Sequence, residues 1–159
     1  MDYNIHMNKN IQGFTLIELI VTLAVIGVLF AMAAPNLQTT IQGNRLSGQY
    51  NDMRGDFAFA RNLAITRNVA VTISSNGGTN WSNGWAVVLP AGTTARISNT
   101  ANNVVISSTI DSLTYNPDGT ANVTAATAIK ICDDRTGSYG KQLNINFAGR
   151  VNLTSASCP

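Results

Sequence analysis

The polarity of the chain changes character twice, and each stretch predicts a different kind of element. From Phe14 to Ala34 the residues are apolar or small, and Glu18 is the only charge among them. At about 1.5 Å per residue such a helix is roughly 30 Å long, enough to cross a bilayer. A carboxylate near the start of a membrane helix is unfavourable by roughly 2.5–3.5 kcal/mol, so it requires a partner. Pro35 removes one amide donor and predicts a kink at the membrane face rather than an end to the helix. Beyond it Leu37, Ile41, Leu46, Tyr50, Met53, Phe57, Ala60 and Ala64 recur at steps of three to five. The polar positions between them include Gln42, Gln49, Asp52, Asp56 and Arg61. This is the pattern of an amphipathic helix running to about Arg67, with one apolar stripe for a sheet to cover. Gly43, Gly48 and Gly55 weaken it locally.

After Arg67 the period shortens to that of strands. Val69 to Ser74 is β-branched and ends on the turn signal Asn76-Gly77-Gly78; Gly84 to Leu89 reads as its return strand. Short strands are expected at Ala95 to Ser98, Val104 to Ser107 and Ser112 to Tyr115, the last entering a turn at Asn116-Pro117-Asp118-Gly119. Ala128 to Cys132 is a further strand, followed by a loop from Asp133 to Gly140. Gln142 to Phe147 alternates strictly, with Leu143, Ile145 and Phe147 on the buried face. Ala148-Gly149-Arg150 then turns the chain into Val151 to Leu153. One long helix followed by roughly seven short antiparallel strands is an α+β plan.

Composition narrows the function classes. Charged residues make up only 11% of the 159, and the net charge of +2 is too small to argue for nucleic acid by itself. After Leu37 there are nine Lys or Arg against six Asp and no Glu. The only histidine is His6, so no base accompanies a serine or cysteine nucleophile in the remainder of the chain. No phosphate-loop spacing occurs. Asp111, Asp118, Asp133 and Asp134 fall in predicted turns and do not supply the six to eight oxygens, roughly, that calcium takes. No catalytic residue, metal site or cofactor is therefore assigned. Trp81 and Trp85 flank Ser82-Asn83-Gly84; Trp85 is expected in the core, while Trp81 is left open between the core and an exposed stacking surface.

The order of the N-terminal segments is the reverse of a secretory signal, in which cleavage follows the apolar run. Here the natural cut lies before it, between Gly13 and Phe14. Gly13-Phe14-Thr15-Leu16-Ile17-Glu18 resembles the class III signal of type IV pilins and type II secretion pseudopilins. That resemblance implies a leader, residues 1–13, removed by a prepilin peptidase that also N-methylates Phe14. It implies a membrane and assembly helix at 14–34, an amphipathic continuation at 35–67 and a β-rich head at 68–159. Glu18 is then expected to neutralise the amine of a neighbouring subunit's Phe14 during subunit stacking, which supplies the partner its burial requires. The implied location is the inner membrane, single pass with a periplasmic head, then a filament. The implied partners are other minor and major pilins or pseudopilins and the inner-membrane assembly platform.

Further along, Ala60-Arg61-Asn62-Leu63-Ala64-Ile65, Gly84-Trp85, Tyr115-Asn116-Pro117-Asp118-Gly119-Thr120 and Gly149-Arg150-Val151 resemble the H-type minor pseudopilin (GspH/FimT/FimU) family. Its members are pilin-fold subunits near the filament tip that prime assembly. Some FimT-type members bind double-stranded DNA through a Gly-Arg-x-Arg motif. In this chain Gly149 and Arg150 match, and Asn152 stands where the second arginine is expected. Lys130, Arg135 and Lys141 are the other candidate DNA contacts; the alternative is that all four are solvated strand-edge charges. A tip adhesin is a third reading, resting on Trp81, Trp85 and the Asn/Thr-rich loops. Cys132 and Cys158 are read, in a periplasmic head, as one disulfide, with two free buried thiols as the alternative. Loop entropy assigns such a closure about 3.5 kcal/mol.

Overall fold

The computed structural model describes residues 13–123 and 127–159, apart from the side chains of residues 33–36. The expected leader up to residue 12 and the Pro35 side chain lie outside these residues. Helix α1 spans Leu16–Arg67. The chain divides into two compact units, residues 1–39 and 40–159. In the first unit the described apolar side chains of α1 are all exposed.

In the second unit α1 carries the apolar stripe that its periodicity predicts, with Leu46, Tyr50, Met53, Phe57, Ala60 and Ala64 buried. Two members of the expected stripe stay exposed, Ile41 in this unit and Leu37 in the first; full burial along α1 begins at Leu46. Among the described residues eight strands follow: β1 Val71–Ser75, β2 Trp85–Val88, β3 Thr94–Ser98, β4 Val104–Ser108, β5 Ser112–Tyr115, β6 Thr127–Asp133, β7 Gly137–Ile145 and β8 Val151–Cys158. They form two antiparallel sheets, one in the order β3-β2-β1-β5 and one in the order β4-β6-β7-β8. Val71, Ile73, Val87, Leu113, Ile106, Ile129, Ile131, Leu143 and Ile145 join the helical stripe in one apolar core.

Three expectations for the second sheet are corrected. Residues 137–140, expected in a loop, begin β7; a register shift between Gly137 and Gly140 hides the strand's alternation. β8 runs on to Cys158 rather than stopping at Leu153, because its Thr, Ser and Ala residues form a solvated edge with little apolar patterning. Phe147 is 64% exposed instead of buried. β7 ends at Ile145, and hydrogen bonds from Asn146 N–H to Arg150 O and from Gly149 N–H to Asn146 O turn the chain there.

Two polar helix positions are buried too. Gln49 Oε1 accepts from Ala101 N–H at 2.6 Å. Asp56 is 3% exposed and receives three side-chain donors. Trp85 Nε1–H donates at 2.9 Å, Arg96 Nη1 at 2.7 Å, and Ser98 Oγ completes the set. Burying a carboxylate is tolerated when its acceptor sites are filled in this way. The cluster ties β2 and β3 to α1. Trp81 is also wholly buried; its Nε1–H donates to Ile110 O at 2.8 Å and its ring stacks on Phe57 with centroids 6.0 Å apart.

Cys132 and Cys158 form a disulfide that joins β6 to β8 across β7. It passes over Gly140, where a side chain would meet Ala156 O at 2.9 Å and Cys132 Sγ at 3.3 Å. Glycine is needed there because the crossing sulfurs occupy the space of a Cβ.

Removing the Asp56 carboxylate tests the first anchor. Asp56→Ala in the detergent-solubilised chain is expected to lower unfolding free energy by about 2–3 kcal/mol, since Trp85 Nε1–H loses its buried acceptor. Urea denaturation followed by tryptophan fluorescence measures it; an unchanged midpoint means that the carboxylate is not the anchor.

Candidate functional site

The contacts described at the start of α1 are local. Thr15 precedes the first turn of α1, and its Oγ1 accepts from Glu18 N–H at 3.2 Å while its carbonyl accepts from Leu19 N–H at 3.2 Å. Thr15-Leu16-Ile17-Glu18 thus has the spacing of a capping box, with a carboxylate at the positive end of the helix dipole. Among the described residues Glu18 has no ion-pair partner. A methyl group placed on Gly13 would meet no described atom within 4 Å, and its φ is not positive. The fold itself therefore makes no demand for glycine at this position.

The four basic residues singled out from the sequence do not form one patch. Lys130 pairs with Gln142, whereas Lys141 pairs with the buried Ile131, so the two lysines lie on opposite faces of the second sheet. Lys130 Nζ donates to Ser157 O at 3.2 Å. Lys141 Nζ donates to Ser47 Oγ at 2.8 Å and sits 5.6 Å from the Tyr50 ring centre. Arg135 joins Lys141 beside the same hollow, but its charge is matched by Asp133 and its guanidinium lies 4.6 Å from the Tyr139 ring centre. Burial pushes the Asp133 carboxyl up, yet the hydrogen bonds and charge of Arg135 outweigh this and hold it below the usual range. Arg150 stands at the opposite end of β7, in the turn to β8.

Around Arg150 the structure assembles what the motifs kept apart. Arg61 of α1 donates from Nε to Gly119 O at 2.9 Å and from Nη2 to Ala148 O at 3.2 Å. One guanidinium therefore ties both the 116–120 turn and the β7–β8 turn to the helix. Gly149 has φ +70°, and a side chain there would crowd Arg61 Nε at 3.0 Å and Tyr115 Cε1 at 3.1 Å. Three weak sequence motifs are thus parts of one contact. Arg54, Arg61, Asn62, Arg150 and Asn152 surround a hollow that no carboxylate lines. Arg54 was missed as a candidate, although Arg54, Ala58 and Arg61 lie on one helical face by their spacing. Its side chain and that of Arg150 have no hydrogen bond or ion pair among the described residues.

Both tryptophans are buried, so neither offers an exposed stacking surface. Among the described residues no group of His, Cys, Asp or Glu is arranged to hold a metal ion.

Tyr115 is buried against this contact, its hydroxyl without a hydrogen-bond partner. Burial pushes its pKa up to about 12, opposed in part by the charge of Arg61. The folded pKa lies above the ordinary value of 10.0, so this group favours the fold fully below pH 10 and loses that effect as pH rises towards about 12. Tyr115→Phe is expected to leave the urea midpoint at pH 7 unchanged or raised and to delay alkaline unfolding. Circular dichroism from pH 8 to beyond 11 checks it; earlier alkaline unfolding in the variant contradicts it.

With this geometry in place, comparison with known proteins is informative. The family model described as "Type II transport protein GspH" matches residues 49–149. The model described as "Prokaryotic N-terminal methylation motif" matches residues 8–34. A crystal structure of the type IV minor pilin FimU of Pseudomonas aeruginosa (strain PAO1) is similar, with TM-score 0.64 and 22% identity over 73% of this chain and 96% of that one. A second crystal form of FimU gives TM-score 0.59 and 23% identity over 72% and 100%. These structures share the fold. Comparison with curated protein sequences gives no match.

Proposed function

The chain belongs to the GspH family of minor pilins and pseudopilins, and from that premise we propose that it is processed, methylated and drawn into a filament near the tip. Prepilin peptidase cuts between Gly13 and Phe14 and methylates the new amine. Before assembly the 14–34 helix holds the protein in the inner membrane with its head in the periplasm. The assembly platform then stacks it with other pilins or pseudopilins, where it helps to prime the filament. The observation that supports this reading best is the N-terminal pairing of an uncovered apolar helix with one carboxylate. A lone charge of this kind is costly in lipid, and an incoming amine at Phe14 of a neighbour offsets that cost. No described atom crowds a side chain at Gly13, so this glycine suits a recognition position for cleavage.

Two substitutions separate the steps. Gly13→Val is expected to retain the leader, read as a higher mass and an intact Met1 terminus, whereas the native chain begins at methylated Phe14. Glu18→Leu is expected to be cut normally yet absent from sheared filaments. Native protein that keeps Met1 would sink the proposal. Deleting the gene and assaying twitching and exoenzyme secretion distinguishes a type IV pilus from a secretion pseudopilus.

A second reading, binding of double-stranded DNA by the head, is supported by the unpaired Arg54 and Arg150. Arg54 supplies from the helix a second cation beside the position that Asn152 occupies. Arg54→Gln with Arg150→Gln is expected to weaken duplex binding and flatten its logarithmic salt dependence by about 2 units. Lys130→Gln should change little, because that residue lies on another face. Equal losses in both variants, measured by fluorescence anisotropy, contradict a site at Arg54 and Arg150.

A further inference from the structure

The two sheets have four edge strands, and three of them are blunted. Along β4, Ser108 N–H donates to Thr79 O at 3.2 Å and Ile106 N–H to Ser82 Oγ at 2.8 Å. Along β5, Asn122 N–H donates to Thr114 O at 2.9 Å, and Thr114 N–H to Asn122 Oδ1 at 2.8 Å. The short β3 turns Arg96 inward to Asp56, and its pairing with β2 is interrupted by a register shift at Val87 and Val88. These are the ways in which sheets avoid joining other strands.

β8 lacks them. It is the longest edge at 8 residues and contains no charge, proline or glycine. Its irregular pairing is confined to the Gly137–Gly140 end, where Lys130 also occupies Ser157 O. From Asn152 to Ser155 every residue is exposed. Leu153 lies opposite the fully buried Leu143 yet remains 48% exposed. Hollows flank this strand: one is lined by Lys141, Leu153 and Arg135, whose charge Asp133 matches, and one by Arg54, Arg150 and Asn152, while a third, at the Ser157–Cys158 end, is lined by Lys130 and Asp133 and is the one of the three with a carboxylate in its wall.

We infer that β8 is a docking edge that takes an extended, acidic segment of a partner polypeptide as an added strand. Only another backbone satisfies a row of free amides and carbonyls, and this favours a polypeptide over a nucleic acid. The flanking cations set the charge of that strand. A second copy of this chain fits poorly, because pairing β8 with β8 brings two cation-lined edges together. The inference concerns the head alone and stands whichever filament the chain serves.

Hydrogen exchange on the full chain in detergent tests it, with a synthetic peptide of alternating Val and Glu as probe. Exchange of the Asn152–Ser157 amides is expected to slow about tenfold or more on adding the peptide. Methylating the peptide's backbone nitrogens on its pairing side, or replacing Glu by Lys, should abolish the effect. Ser155→Asp places a carboxylate opposite Lys141 on an exposed position, which preserves folding and is expected to weaken peptide protection about fivefold or more. No protection by the acidic peptide, or equal protection by the methylated or Lys peptide, overturns the inference. So does full protection in Ser155→Asp, protection that grows with protein concentration without peptide, or protection by duplex DNA alone.

Discussion

A carboxylate inside an apolar stripe is the constraint around which the head is arranged. Asp56 sits on the face of α1 that packs the core, where an unmatched charge would be untenable. Its oxygens must therefore collect donors, and those come from Trp85 at the start of β2 and from Arg96 and Ser98 on β3. Meeting that need fixes the first hairpin against the helix and orients the Trp85 ring. Arg96 also lies 4.2 Å from the Phe59 ring centre, so the same guanidinium fills a charge requirement and covers an apolar surface.

The second sheet is secured by different means. Arg61 gathers two turn carbonyls from segments far apart in the chain, and the disulfide links β6 to β8 over a glycine. The two devices act at opposite ends of β7, the Arg61 contact at its turn to β8 and the disulfide over Gly140. They leave the middle of β8 unmodified, in contrast to the other edges. A strand held at both ends and open along its length keeps its shape without its outer hydrogen-bonding groups being used.

Function is divided along the chain in a similar way. The described apolar side chains in the N-terminal part of α1 are exposed, and Glu18 lies in its first turn. The head has a closed apolar core, and Arg54 and Arg150 lie exposed to one side of β8 with Lys141 along its middle. The first surface is suited to lipid or to other apolar helices, the second to polar and charged partners. The passage from membrane to filament proposed above requires both kinds of surface.

Much of this was legible in one dimension. The Gly13 to Glu18 segment is a local signal, since the methylation motif it belongs to and the cap at Thr15 need no distant residue. The helical stripe and most strands follow from periodicity, because side-chain direction repeats every 3.6 or 2 residues, roughly. Tertiary structure decided what depends on partners far along the chain. Asp56 and Gln49 read as solvent-facing because their donors lie some forty to fifty residues away, on β3 and the loop after it. Phe147 fell off the buried face because a turn ended the strand two residues early, and the start of β7 was hidden because its partner is displaced by a register shift. The basic residues were grouped by proximity in sequence, but strand parity sent Lys130 and Lys141 to opposite faces. Parity and register are properties of pairing, and pairing is settled only when the strands meet.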